Sequence, residues 1–289
     1  MTQSKASPKS QHKPNHKPSK PNQKPSHQPN QKPAKPQKLK TSPHFYGIHA
    51  VKAILSVRAH DALALFVQQY DDGKHNDEQA QIITLAKACG VSVQTAHKDT
   101  LAELCGSHQH QGVVLSARLR AMGDESELDG IVGDDVLLLV LDQITDPHNF
   151  GACLRTACAM GVSAVIVPRH QSVGLTPTVA KVSVGGAEAV PVIAVTNLAR
   201  CLERLKSAGV FVFGTALDET AKPLHECDFA GKVAIVMGSE GDGMRRLTRE
   251  YCDTLVYIPM SANPDRPQSL NVSVATGMTL WEVVRQRKR

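Results

Sequence analysis

LLVLDQITDPHNFGACLRTACA, residues Leu138 to Ala159, decides how the second half of this chain is read. It opens in an uninterrupted apolar run, VLLLVL at Val136 to Leu141, the pattern of a strand buried on both faces of a parallel sheet. Asp146-Pro147-His148-Asn149 then reads as a turn cluster, and a helix is expected from Gly151 onward. Strand, loop and helix in that order place Asn149, Gly151 and Arg155 at the carboxyl edge of a sheet, where α/β proteins bind ligands. The stretch has no G-x-G-x-x-G, so a dinucleotide fingerprint does not account for it, and a Rossmann dehydrogenase is disfavoured.

The same alternation continues outward. Strands are expected at SAVIVP (Ser163 to Pro168), VPVIAV (Val190 to Val195), VFVFGTA (Val210 to Ala216), VAIVMG (Val233 to Gly238) and TLVYIP (Thr254 to Pro259). Helices are expected at Pro177 to Val184, over NLARCLERLKSAG, and from Leu270 to Arg287. Leu270, Val274, Gly277, Met278, Trp281 and Val284 fall on one side of that last helix. The resulting domain, 135–289, is an α/β fold with a parallel, helix-covered sheet.

Upstream, GIHAVKAILS (Gly47 to Ser56), ALALFV (Ala62 to Val67), EQAQIITLAKACG (Glu78 to Gly90), VSVQT, a helix near Thr100 to Cys105, and GVVLSAR (Gly112 to Arg118) make a second, smaller α/β domain over 44–118. Residues 119–134 are acidic and glycine-bearing, a linker by composition. Residues 1–42 consist largely of Lys, Pro, Gln, Asn, His and Ser, with eight of the seventeen prolines, a composition expected to stay disordered. An RNA-binding arm and a solubilising extension are both open for this tail.

Net charge separates these parts. Ten lysines and no acidic residue lie in residues 1–40, so setting them aside from the overall +6 leaves −4 for the remainder. RNA binding on the folded body therefore has to come from local clusters, such as Arg245, Arg246 and Arg249 or Arg285, Arg287, Lys288 and Arg289. The seven cysteines form no C-x-x-C pair, which favours reduced, mostly buried thiols in a cytoplasmic protein over disulfides or a zinc site. His49, His108 and His110 lack cysteine or acidic partners at metal spacing and read as surface or packing residues, so no metal site is expected. No apolar run reaches about 18 residues, so no membrane span is expected.

Three loops stand at strand ends: Asn149-Phe-Gly-Ala-Cys-Leu-Arg155, Gly238-Ser-Glu-Gly-Asp-Gly243, and Ile258-Pro259-Met260 followed by Ser269-Leu-Asn-Val-Ser273. Each has a bland account on its own, as a turn, a connector, or a helix cap on Ser269. Together, N-F-G-A-C-L-R, V-M-G-S-E-G-D-G-M and I-P-M…S-L-N-V-S-V-A-T-G resemble the three motifs of the SpoU/TrmH group of SPOUT RNA ribose 2′-O-methyltransferases. FYGIHAV, the H-Q-G-V of His110 to Val113 and RRLTREYCD of Arg245 to Asp253 extend the likeness over 44–289, towards the group acting on guanosine in 23S rRNA. The loop SANPDRPQ, 261–268, is longer and more polar than that pattern.

The resemblance implies a C-terminal trefoil knot in the methyltransferase domain and an L30-like, RNA-binding small domain. It implies S-adenosylmethionine as cofactor, held by Gly214, Thr215, Ala216, Gly238, Ile258 and Leu270, and a homodimer with the closing helix at its interface. It further implies Arg155 as the catalytic residue, acting across that interface, supported by Asn149, Glu240, Ser269 and Asn271. The implied substrate is a guanosine in the peptidyl-transferase region of 23S rRNA, free or in a large-subunit precursor. A tRNA ribose 2′-O-methyltransferase and a non-catalytic, knotted RNA-binding or assembly protein are the alternatives.

Overall fold

A computed structural model describes residues 42–70, 73–261 and 269–287. The expected tail therefore lies almost wholly outside the described residues, as do most of the 261–268 loop and the terminal Lys288 and Arg289. The strands are β1 (His44–Tyr46), β2 (Ala62–Gln68), β3 (Ser92–Ala96), β4 (Val113–Ala117), β5 (Gly123–Asp124), β6 (Leu137–Leu141), β7 (Ala164–Pro168), β8 (Val192–Val195), β9 (Phe211–Thr215), β10 (Lys222–Pro223), β11 (Val233–Met237) and β12 (Thr254–Tyr257). The helices are α1 (Ile48–Arg58), α2 (Asp77–Ala88), α3 (Lys98–Cys105), α4 (Leu128–Ile131), α5 (Pro147–Ala159), α6 (Pro177–Ser183), α7 (Gly186–Ala189), α8 (Leu198–Ser207), α9 (Arg246–Glu250) and α10 (Val272–Arg287).

Two sheets result. The smaller runs β1-β4-β2-β3, with β4 antiparallel to both neighbours and β3 parallel to β2. The larger runs β10-β12-β9-β11-β6-β7-β8-β5, with every pairing parallel. Its outermost strand, Gly123–Asp124, comes from the acidic stretch between the two sheets and pairs with β8.

The apolar runs work as their composition requires. Along β6, Leu137, Leu139 and Leu141 face the core under α5 and α10, while Leu138 and Val140 face the core under α8. Along β11, Val233, Ile235 and Met237 divide from Ala234 and Val236 in the same way. A strand with helices on both faces has no solvent side, so it needs no polar alternation.

Local chemistry moves two boundaries. The Asp146–Asn149 cluster is a helix start: the Asp146 carboxylate accepts the Asn149 N–H at 2.7 Å, Pro147 occupies the first helical position, and α5 begins there. Asn149 thus lies in the first turn of a helix. At α10, the cap expected of Ser269 belongs to Asn271, whose Oδ1 accepts the Ser273 N–H at 2.9 Å and whose carbonyl accepts the Ala275 N–H at 3.0 Å.

On α10, Val274, Met278 and Trp281 stand 50%, 45% and 54% exposed, so this chain's own core does not cover them. The inward face carries Val272, Thr276, Leu280 and Val283. Thiol burial is more mixed than composition implied: Cys153, Cys201 and Cys227 are buried, while Cys89 and Cys158 are exposed. His110 packs inside and its Nδ1 accepts the Gly112 N–H at 3.0 Å, whereas His49 and His108 are exposed.

Replacing Asp146 with Ala removes the α5 cap and should lower unfolding free energy by about 1 kcal/mol. Urea denaturation would measure the loss, and an unchanged midpoint would show that the cap contributes nothing.

Candidate active site

The carboxyl ends of β9, β11 and β12 converge on a cavity of about 450 Å³, within the size range of small-molecule sites. Its wall combines Thr215 and Ala216 after β9, Gly238 to Met244 after β11, Ile258 after β12, and Ser269 and Leu270 before α10. Small and apolar residues make up most of this lining, with Glu240, Asp242 and Arg249 the charged ones.

The glycine loop after β11 is built tightly. Ser239 and Gly243 exchange both main-chain hydrogen bonds, at 3.0 and 3.1 Å, and Gly243 adopts a left-handed φ of +67°. A Cβ on Gly238 would lie 2.2 Å from the Gly243 carbonyl carbon, so only glycine closes this loop. The loop is anchored further on by Asp142, fully buried at the end of β6. Its carboxylate accepts the Arg245 main-chain N–H at 3.0 Å and the Arg245 Nε–H at 2.8 Å.

Closing the loop lifts Glu240 to the cavity rim, where it joins the other two motifs. Glu240 Oε1 accepts hydrogen bonds from Asn149 Nδ2 at 3.1 Å, Asn271 Nδ2 at 2.5 Å and Val272 N at 3.1 Å. Asn271 Nδ2 also donates to Asn149 Oδ1 at 2.9 Å. A carboxylate at the amino end of α10 is favoured there by the exposed amides and the helix dipole.

A second clasp involves Arg249, which lines the cavity. Arg249 of α9 donates to Asp218, which follows β9. The Thr220 hydroxyl and main-chain N–H, together with Arg249, lower the Asp218 carboxyl to about 2.

Of the six expected cofactor residues, Thr215, Ala216, Gly238, Ile258 and Leu270 line the cavity, and Gly214 does not. Gly214 is buried beneath it, where a Cβ would meet Cys252 Sγ at 2.6 Å and Met244 Cε at 2.8 Å. Ser269 is on the wall, and Asn149, Glu240 and Asn271 form the rim cluster. Arg155 stands apart: it is exposed on α5, off the cavity wall, and makes no hydrogen bond or ion pair among the described residues. Reading from sequence placed Arg249 in a phosphate-binding cluster and did not single out Asp218, and it offered no signal that Arg245 serves a buried carboxylate.

The arginine clusters expected to bind phosphate are largely engaged inside the protein. Arg245 pairs with Asp142, Arg246 with Glu250, Arg249 with Asp218 and Arg285 with Glu282. Arg287 donates to the carbonyls of Asp135, Val136 and Gly231.

A parallel α/β sheet whose strand ends meet three loops around such a cavity defines a ligand-binding enzyme fold. The sequence profile described as the SpoU rRNA Methylase family matches residues 136–281, and that described as RNA 2′-O ribose methyltransferase substrate binding matches 45–121. The chain belongs to the SpoU rRNA methylase family. It is accordingly an RNA ribose 2′-O-methyltransferase that uses S-adenosylmethionine.

The 23S rRNA (guanosine-2′-O-)-methyltransferase RlmB of Acinetobacter baylyi is 50% identical over 247 residues, covering 84% of this chain and 97% of that protein. The protein of the same name from Ralstonia nicotianae is 50% identical over 243 residues, covering 83% and 94%. A crystal structure of an RNA 2′-O ribose methyltransferase superposes with a TM-score of 0.68 at 25% identity, over 85% of this chain and 89% of that one. The SpoU methyltransferase AviRb from Streptomyces viridochromogenes, solved with AdoMet, shares the fold with a TM-score of 0.67 at 24% identity, over 86% and 91%.

Gly238→Ala should abolish cofactor binding measured by calorimetry while far-ultraviolet circular dichroism stays native. Wild-type affinity in that variant would show that the loop opens without consequence for the cavity.

Proposed function

We propose that this chain methylates the ribose 2′-hydroxyl of a guanosine in 23S rRNA, in the peptidyl-transferase region, with the RNA presented free or in a large-subunit precursor. The cytoplasm is the compartment that fits such a substrate. The observation that carries the reading is the hydrogen-bonded joining of all three motifs through Glu240, beside a cavity lined mainly by small and apolar residues. The 50% identity to proteins named for that reaction, over nearly their whole length, supports the choice of rRNA. A non-catalytic RNA-binding protein would have no need to keep Asn149, Glu240 and Asn271 bonded to one another.

Thr215, Ala216, Gly238, Ile258 and Leu270 would hold the cofactor, and apolar neighbours such as Leu217 and Leu224 suit its uncharged parts. The cofactor supplies a methyl already activated on a sulfonium. What remains for the protein is to align the 2′-oxygen and accommodate its departing proton. No histidine lies in the three motifs except the exposed His148, so no ordinary general base is evident. A guanidinium is a donor and not a proton acceptor, so the role of Arg155 is to bind the phosphate beside the target and orient the hydroxyl. Asn149 and Asn271 hold the rim, Ser269 completes the wall, and Glu240 ties them together.

The working form is a homodimer. The exposed Val274, Met278 and Trp281 supply an apolar face on α10, and Arg155, off its own chain's cavity wall, is free to serve another. The larger domain is the SPOUT fold with a C-terminal trefoil knot. In support, β12 lies between β9 and β10 and the chain then continues to α10, which packs on α5. Such threading is exceptional among folds. The four-stranded domain is the L30-like RNA-binding part, the domains spanning 44–118 and 135–289 with 119–134 between them.

Tritiated S-adenosylmethionine incubated with unmodified 23S rRNA and with tRNA should label only the 23S rRNA, as 2′-O-methylguanosine. Label confined to tRNA would overturn the rRNA assignment. Arg155→Ala should remove transfer while leaving cofactor affinity within about twofold of wild type, since a group that acts on the RNA and lies off the cofactor cavity does not contribute to cofactor binding. Near-normal turnover would exclude Arg155 from the reaction. Trp281→Glu should yield monomers in equilibrium sedimentation and lose transfer with them. Active monomers would refute the shared site.

A further inference from the structure

The two sheets are joined by a built contact. Arg58, at the end of α1, and Glu188, on α7, are 5% and 6% exposed. Arg58 Nε donates to Glu188 Oε2 at 2.9 Å and Arg58 Nη2 to Glu188 Oε1 at 3.0 Å, a two-pronged fork across 130 residues of sequence. The remaining guanidinium nitrogen, Nη1, donates to the Arg118 carbonyl at 2.7 Å and to Asp61 Oδ2 at 3.3 Å. Arg120, on the chain leaving the small domain, donates to the Ala187 carbonyl at 2.5 Å and lies 3.9 Å from Glu188.

On its other side, the α6–α7 segment is pressed against α5. A Cβ on Gly186 would lie 2.7 Å from the Leu154 carbonyl oxygen and 3.1 Å from the Arg155 Cα. A Cβ on Gly151 would meet Val182 Cβ at 2.8 Å and the Val179 carbonyl oxygen at 3.0 Å. Ala180 of α6 meanwhile joins the small domain's core with Phe45, Val51 and Ile54. One short segment therefore touches both the small domain and the main chain of the helix that carries Arg155.

We propose that Arg58 and Glu188 are positioning residues: their fork fixes the small domain's orientation relative to α5, so that RNA held by that domain meets Arg155 in register. The inference rests on the roles assigned above to Arg155 and to the small domain. An apolar contact would hold the domains together but permit sliding, whereas a bidentate ion pair has one geometry. A buried ion pair is commonly no more stabilising than a well-packed apolar pair of similar volume, so stability alone does not account for its presence here.

The test uses the full chain as Glu188→Gln and as the double variant Arg58→Met/Glu188→Leu, which replaces the fork by an apolar pair. Thermal unfolding, cofactor affinity, affinity for a 23S rRNA transcript, and the single-turnover methylation rate at saturating transcript would be measured for each. Rates are expressed per cofactor-binding site titrated by calorimetry, so that misfolded molecules are not counted. The expected result is cofactor and RNA affinities within about twofold of wild type and a single-turnover rate lower by tenfold or more, on the scale of about 10²-fold that a 1 Å misplacement costs. A double variant with the wild-type rate per titrated site would overturn the proposal, leaving the pair a structural contact. Arg155→Ala in parallel separates the two claims. If it is inactive while the double variant is fully active, only the positioning role fails; if Arg155→Ala is active, the underlying assignment fails.

Discussion

One oxygen of Glu240 accepts donors from Asn149, Asn271 and Val272, and the order of the site depends on that convergence. The three segments follow β6, β11 and β12, which come together only once the parallel sheet has formed. A carboxylate held by three N–H groups beside a helix amino terminus is favoured twice, by charge-assisted hydrogen bonds and by the unsatisfied amides of α10. Glutamine would retain an acceptor oxygen without the charge. The five-residue turn that carries Glu240 needs glycine at Gly238 for clearance and at Gly243 for its backbone angle. The charge is thus placed by backbone constraints that lie outside the carboxylate itself.

The site divides by the kind of group it uses. The cavity is lined mainly by small and apolar residues, which suits the apolar parts of a small-molecule cofactor. The rim is made of amide and carboxylate side chains that fix one another and present a rigid polar edge. Arg155 belongs to neither part of its own chain's site. Its helix is nevertheless among the most constrained, capped by Asp146, packed beneath α10, and approached closely at Gly151 and Gly186. On the proposed reading, a freely exposed side chain on a rigid helix is what a site completed by a second subunit requires.

Much of the fold was legible because strands buried on both faces leave a distinctive apolar run. VLLLVL, SAVIVP and VAIVMG each became a central strand for that reason. The helix starts were less legible. Asp146 and Asn271 resemble turn and loop residues until their side chains are seen accepting N–H groups three and two residues ahead. Gly214 shows why a glycine at a strand end is ambiguous in sequence: it suits both close ligand approach and close packing, and here Cys252 and Met244 stand where a Cβ would lie. The Arg58–Glu188 fork was invisible, since nothing local marks a pair separated by 130 residues.

The engaged arginines reshape the electrostatics of RNA binding. A run such as Arg245-Arg246 suggests a phosphate site in sequence, yet each has an acidic partner, and Arg249 and Arg285 repeat the pattern. An arginine already paired offers little net attraction to an approaching phosphate unless its partner is displaced, and displacing Arg245 would leave the carboxylate of Asp142 buried without its guanidinium. Lys52 and Arg155, by contrast, are exposed without an ion-pair partner among the described residues. Lys52 precedes Ala53, whose Cβ lies 3.3 Å from where a Gly185 Cβ would stand, and Gly186 abuts Arg155. Lys87, Lys98, Arg200 and Lys222 are likewise exposed without an ion-pair partner among the described residues, so the unpaired positive charge is spread over the folded body, the domain junction included.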